Sequence, residues 1–203
     1  MNNEKQLQTA VFYRFINGVK EFENLHPEER NKEVKECASL KVKTQKYCAW
    51  KLLESAVNRL IDCDFNQIDF KKTNANKWVC ENFYFSIAHS ESLVAVAVSP
   101  LPIGLDCEKF KPFKEEVAGK ILNEQESEIY SSLPQSARQE FLLKTWCKKE
   151  SLLKQAGEKN LYPKTRNTLN AEFCESEINK IGERFYLCAC GDGVNKNTKI
   201  IEL

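Results

Sequence analysis

The sequence predicts an α+β fold, and three observations carry that prediction. Helical and strand-like segments occur in both halves of the chain. Three strand-like runs follow one another in the middle: FYFSIAH (83–89), LVAVAV (93–98) and IGLDCE (103–108). The order of segments is not the regular strand–helix alternation that builds a parallel sheet. With 203 residues, 42% of them hydrophobic, the chain can bury one substantial core or two small halves packed together.

Taken in order, Pro27 followed by Glu28 and Glu29 reads as a helix start. Proline suits the first turn, and acids there complement the helix dipole. A second helix is expected from near Thr44, because Ala49, Leu52, Leu53, Ala56 and Leu60 recur at helical spacing. The first central run is aromatic and β-prone. LVAVAV is the uninterrupted apolar run of a buried strand. HSES and SPLP read as turns, so the three runs read together as an antiparallel meander. A short helix over 114–122 follows. Asn123 and Glu126 have the N-x-x-E form of a capping box. A long helix is expected over 136–156, with Gly157 as its stop. RFYLCAC (184–190) and TKIIEL (198–203) return to strands.

Composition excludes several classes. A net charge of +1 gives no global pull toward nucleic acid or acidic membrane. The first fifteen residues lack the apolar core of a signal peptide. The longest uncharged stretch, 92–105, is broken by two prolines and is shorter than the roughly 20 residues that span a bilayer. The expectation is a soluble, cytoplasmic protein with no membrane or nucleic-acid partner. The nine cysteines are irregularly spaced, with no C-x-x-C pair and only His26 and His89 beside them. That pattern argues against structural zinc and for small buried thiols in a reducing compartment.

The chemistry concentrates in two places. In IGLDCE, alternation puts Ile103, Leu105 and Cys107 on one face and Asp106 and Glu108 on the other. Two carboxylates on one strand face repel each other. They are either solvated at a strand end or compensated by a hard divalent cation with oxygen ligands. In WCKKESLLK, Trp146, Glu150 and Lys154 form one row along a helix. Glu150 and Lys154 could be an ordinary surface ion pair, worth only about 0.3 kcal/mol. Alternatively, Glu150 is a third carboxylate beside Asp106 and Glu108, with Lys148, Lys149 and Lys154 facing phosphates. A further basic segment, Lys41 to Arg59, holds five cations and one acid, and reads as a solvated face or an anion site.

These motifs, FSIAHS, then IGLDCEKF, then WCKKESLLKQAG, resemble the 4′-phosphopantetheinyl transferases in order and spacing. The likeness is to the larger type that activates surfactin-synthetase-like carrier proteins. It runs from about Phe83 to Gly157, with a weaker extension to PEER at 27–30. The resemblance implies a monomer built as a pseudo-dimer of two similar α/β halves, residues 1–100 and 101–203, with the active site in the cleft between them. It implies transfer of the phosphopantetheine arm of coenzyme A to a serine of an apo acyl or peptidyl carrier protein, releasing 3′,5′-ADP. Such carriers serve fatty-acid, polyketide or nonribosomal-peptide biosynthesis. Carried over by residue, Asp106, Glu108 and Glu150 would bind Mg²⁺, and Lys154 would contact the diphosphate. Asp106, Lys149, Ser86 and His89, with Lys46 from the basic segment, would line the coenzyme A site. Lys43 and Lys51 are alternatives to Lys46. Lys77, in Asn76-Lys77-Trp78, stands where the family often has G-K-P. Glu126 occupies the place of an acid proposed to help deprotonate the serine, in competition with its capping role. Trp146 reads as packing beneath the site. Two rivals share these features: another Mg-dependent nucleotide phosphohydrolase, and a noncatalytic coenzyme A-binding module.

Overall fold

Strand β5 (Leu93–Ser99) is buried along its whole length. Val94, Val96 and Val98 join one apolar cluster, while Leu93, Ala95 and Ala97 join another. Both faces of this strand are therefore covered, as an uninterrupted apolar run requires. The computed structural model, which describes residues 7–74, 76–157 and 162–203, shows what covers them.

On one side lies α2 (Leu40–Leu60). Ser39 caps it by accepting the Val42 N–H, so the helix begins four residues before the expected Thr44. Ala49, Leu52, Leu53 and Ala56 are fully buried, and Leu60 packs at the edge. Trp50 adds an aromatic group with Phe65, Phe70, Trp78 and Phe85. A shorter helix, α1 (Glu28–Lys35), starts after Pro27 as read from sequence. A two-stranded ribbon, β2 (Lys71–Lys72) with β3 (Trp78–Val79), lies beyond α2 in sequence.

The sheet containing β5 has the order β4-β5-β1-β9, with β4 at Tyr84–Ser90, β1 at Ala10–Phe15 and β9 at Lys199–Glu202. The three-strand meander is corrected here. β4 and β5 pair as expected, but β1 takes the other edge of β5. Strand β6 (Ile103–Lys109) then finds no free edge on β5. It enters a second sheet of order β6-β8-β7, with β7 at Cys174–Lys180 and β8 at Glu183–Gly191. The other face of β5 packs against Ile103, Leu105, Phe185 and Leu187 of this second sheet.

Two serines stitch the sheets together. Ser86 and Ser90, on one face of β4, accept the backbone N–H groups of Leu105 and Lys109. The outer face of the second sheet carries α5 (Gln135–Ala156), which ends at Gly157 in the left-handed region at φ 69°. Helix and strand meet at Gly104, where a Cβ would fall 1.8 Å from the Ser151 carbonyl oxygen. Only glycine permits that approach. Between β6 and α5 run α3 (Ala118–Ile121) and α4 (Glu124–Ser132).

Residues 100 and 101 fall in the turn between β5 and β6, whereas β9 returns from the C-terminal segment to the first sheet. All nine cysteines are free thiols, five of them buried. Among the described residues no helix is long and apolar enough to cross a membrane.

Candidate active site

Alternation along β4 points Phe85, Ile87 and His89 away from the serine seam. These three side chains form one wall of a cavity of about 320 Å³. Arg30 of α1, Lys46 and Ala49 of α2, Asn76, Lys77 and Trp78, and Lys154 and Gly157 at the end of α5 complete it. Four lysine or arginine side chains and a histidine thus share a cavity with an aromatic floor.

Glu33 organises the cations on one side. It pairs with Arg30 at 3.2 Å, Lys46 at 3.0 Å and Lys72 at 3.4 Å, and accepts the Trp78 indole N–H at 3.1 Å. Burial alone would raise its carboxyl. The Lys46 hydrogen bond and the Arg30 charge outweigh that and bring it to about 2. Arg30 lies over the Trp50 ring, 4.9 Å from its centroid. Its buried Nε has no partner among the described residues. Lys77 donates to the Lys154 carbonyl at 2.8 Å, and burial with the Lys154 charge lowers its pKa. His89 is shifted below the ordinary imidazole value, by desolvation first and by Lys154 second.

Lys154 joins this cavity to the acidic row. Its ammonium meets Asp106 Oδ1 at 2.7 Å. Gly104, Asp106 and Glu108 share the face of β6 toward α5, so the expected alternation is present. Glu108 accepts from Ser90 Oγ at 3.0 Å and from Trp146 Nε1 at 3.3 Å. Glu150 is buried, and its Oε1, like Asp106 Oδ2, has no hydrogen-bond partner among the described residues. Desolvation, then the neighbouring Asp106 charge, raises the carboxyls of both Glu108 and Glu150. Among the described residues no three acidic, histidine or thiol side chains converge as a ready metal cage. Asp106 leans to Lys154 and Glu108 to Ser90 and Trp146. The donor set nevertheless fits a hard divalent cation: oxygen only, mutually repelling, with two buried oxygens left over.

Residues 102–191 match the sequence model of the 4′-phosphopantetheinyl transferase superfamily. Over that range the chain is similar to this superfamily. The chain is 28% identical over 109 residues to the 4′-phosphopantetheinyl transferase Sfp of Bacillus subtilis (strain 168), covering 52% of this chain and 49% of that one. Over 76 residues it is 32% identical to a 4′-phosphopantetheinyl transferase of Bacillus subtilis, 37% of this chain and 34% of that one. It is 27% identical over 112 residues to the 4′-phosphopantetheinyl transferase gsp of Aneurinibacillus migulanus, covering 55% and 47%. The chain spans half or less of the length of these relatives.

The superfamily match contains Asp106, Glu108, Glu126, Lys149, Glu150 and Lys154. It stops short of the cavity residues of the first half. Of the three interchangeable lysines, Lys46 lines the cavity; Lys43 lies over the Phe22 ring and Lys51 pairs with Glu54. Ser86 borders the cavity, but its hydroxyl is engaged by Leu105.

Two assignments are corrected. Lys149 does not reach the cavity: it is fully buried, paired with Glu126 at 2.6 Å, and donates to the Pro163 carbonyl. Glu126 forms the capping box with Asn123 and also binds Thr168 through both N–H and hydroxyl. Each of its oxygens accepts two donors. Against burial, Lys149 and these bonds hold the carboxyl below its usual range, which makes it a poor proton acceptor.

Sequence reasoning missed Arg30, although PEER contains it, and Glu33 three residues later. Their signal was the acid-and-base spacing of an ordinary surface helix.

Proposed function

We propose that this protein transfers the 4′-phosphopantetheine group of coenzyme A to a serine hydroxyl of an apo carrier protein, releasing 3′,5′-ADP. The carrying observation is the junction at Lys154. There a cavity rich in cations, suited to a phosphorylated nucleotide, adjoins a row of three carboxylates suited to Mg²⁺. Arg30, Lys46, Lys77 and His89 would hold the phosphates, with Trp78 and Phe85 offering apolar faces. Asp106, Glu108 and Glu150 would hold the metal, which when bound neutralises charge on the diphosphate.

The serine oxygen attacks the β-phosphorus. A new phosphoester bond forms as the bond to the bridging diphosphate oxygen breaks, and 3′,5′-ADP leaves as a phosphate monoester. Lys154 stabilises charge on the departing oxygens, so positioning and electrostatics carry the reaction. Glu150 would leave one carboxylate oxygen for the serine proton while it holds the metal, since its Oε1 has no hydrogen-bond partner among the described residues. Glu126 has no free oxygen for that role. The two helix-on-sheet units, 1–100 and 101–203, are read as the halves of a pseudo-dimeric monomer in the cytoplasm. β9 is an exchange between them. The likeness to Sfp and gsp supports the larger, surfactin-synthetase-activating type.

Intact-mass analysis tests this. Apo acyl and peptidyl carriers incubated with the protein, coenzyme A and Mg²⁺ should gain about 340 Da, a covalent addition of one phosphopantetheine. A chelator should abolish the gain. Coenzyme A consumed without any carrier would favour a phosphohydrolase. Coenzyme A bound without transfer would favour a binding module.

A further inference from the structure

Glu108 is held from two sides, by residues of different elements. Ser90 belongs to β4 in the first sheet, and Trp146 belongs to α5. The Ser90 hydroxyl accepts the Lys109 N–H at 3.0 Å and contacts Glu108 Oε2 at 3.0 Å. A serine hydroxyl carries one proton. Since Lys109 uses an acceptor site, that proton is left for Glu108. An indole N–H can only donate, so Trp146 Nε1 donates to Glu108 Oε1 at 3.3 Å. Each carboxylate oxygen therefore receives one donor. A carboxylate offers about four acceptor sites, so half remain open for a cation.

The arrangement singles out Ser90. It is only 8% exposed. It fixes the backbone of β6 and the carboxylate of β6 with the same atom. Its neighbour His89 faces the cavity from the opposite side of the strand. Ser86 makes the same kind of backbone contact four residues earlier, but among the described residues it bonds no carboxylate. The seam alone does not require what Ser90 adds.

We propose that Ser90 and Trp146 are positioning residues that hold the Glu108 carboxylate in place for a divalent cation. This rests on the reading of Asp106, Glu108 and Glu150 as metal ligands. Partners of this type behind a ligand tune affinity by about 10- to 100-fold. Ser90 also makes metal affinity depend on the seating of the two sheets, because it reaches Glu108 from across the seam.

Binding of Mn²⁺ alone, read from the loss of the free-ion paramagnetic resonance signal, tests the inference without activity. Ser90→Ala should weaken Mn²⁺ by about 10- to 100-fold, and Ser90→Thr should restore most of it. Trp146→Phe keeps an aromatic ring in place and removes the donor together with part of the indole. It should weaken Mn²⁺ by about tenfold, and it decides the matter if Ser90→Ala does not fold. In turnover the Mg²⁺ requirement should rise while kcat at saturating Mg²⁺ recovers, a split that general loosening would not give. Wild-type Mn²⁺ affinity in both Ser90→Ala and Trp146→Phe overturns the inference alone. A wild-type protein that binds no Mn²⁺ overturns it together with the metal reading.

Discussion

The two long helices rest on their sheets in similar ways but treat charge oppositely. Helix α2 buries an apolar stripe and a tryptophan, and the cations near it are gathered by Glu33. Helix α5 lies against a strand that offers carboxylates, and it adds another in Glu150. Glu33 is surrounded by cations and is held low; Glu150 is buried beside Asp106 with an unpartnered oxygen and is held high. Glu33 is satisfied by the cations around it, whereas Glu108 and Glu150 keep a repulsion with Asp106 that an added cation would relieve. Local rules broken in one half and kept in the other mark where chemistry is to be sought.

The comparison breaks most completely at Gly104. Gly104→Ala places a methyl against the Ser151 backbone, where neither helix nor strand can yield. Overpacking against backbone should cost more than about 3 kcal/mol, and urea unfolding should show it. An alanine that leaves the midpoint unchanged would mean that α5 does not lie on β6 this closely. Next comes the buried pair. Lys149→Met leaves Glu126 without its counter-charge and should lose about 3 kcal/mol. Adding Glu126→Gln to that variant should regain part of the loss. No recovery would mean that Lys149 matters through packing and its Pro163 contact.

Two glutamate substitutions sharpen the comparison with smaller effects of opposite sign. Glu150 has a raised folded-state pKa, so its charged form opposes folding above that value, and the opposition fades as pH falls through it. Without metal, Glu150→Gln should melt higher than wild type at pH 7 and lose that advantage at about pH 4, while transfer activity falls sharply. Glu33 has a lowered folded-state pKa near 2. Its contribution is present above the unfolded carboxylate value and is lost as pH falls through about 2. Glu33→Gln should therefore melt lower than wild type at pH 7 and converge with it in acid. Thermal melts across pH check both, and the same sign for the two would sink the contrast.

Much of this was legible in the sequence because it depends on near neighbours. The alternation of Asp106 and Glu108, the row from Trp146 to Lys154, the capping box at Asn123 and the stop at Gly157 are all set within a few residues. What was not legible depends on distant pairing. IGLDCE looks like the third strand of a meander until β1, some eighty residues earlier, takes the edge of β5. Lys149 looks like a ligand-facing cation until Glu126 is brought to it from another helix. Arg30 and Glu33 look like surface charges until α1 packs on α2 and turns them toward Trp50 and Trp78.

The position of β9 bears on how the molecule is made. Leu203 donates to the Tyr13 carbonyl, and β9 lies parallel to β1 along Lys199–Glu202. Synthesis runs from the N-terminal end, and domains tend to fold as they emerge. This first sheet cannot be finished that way. Its last strand leaves the ribosome after all of the second sheet, so the first sheet is completed only once the second has been made.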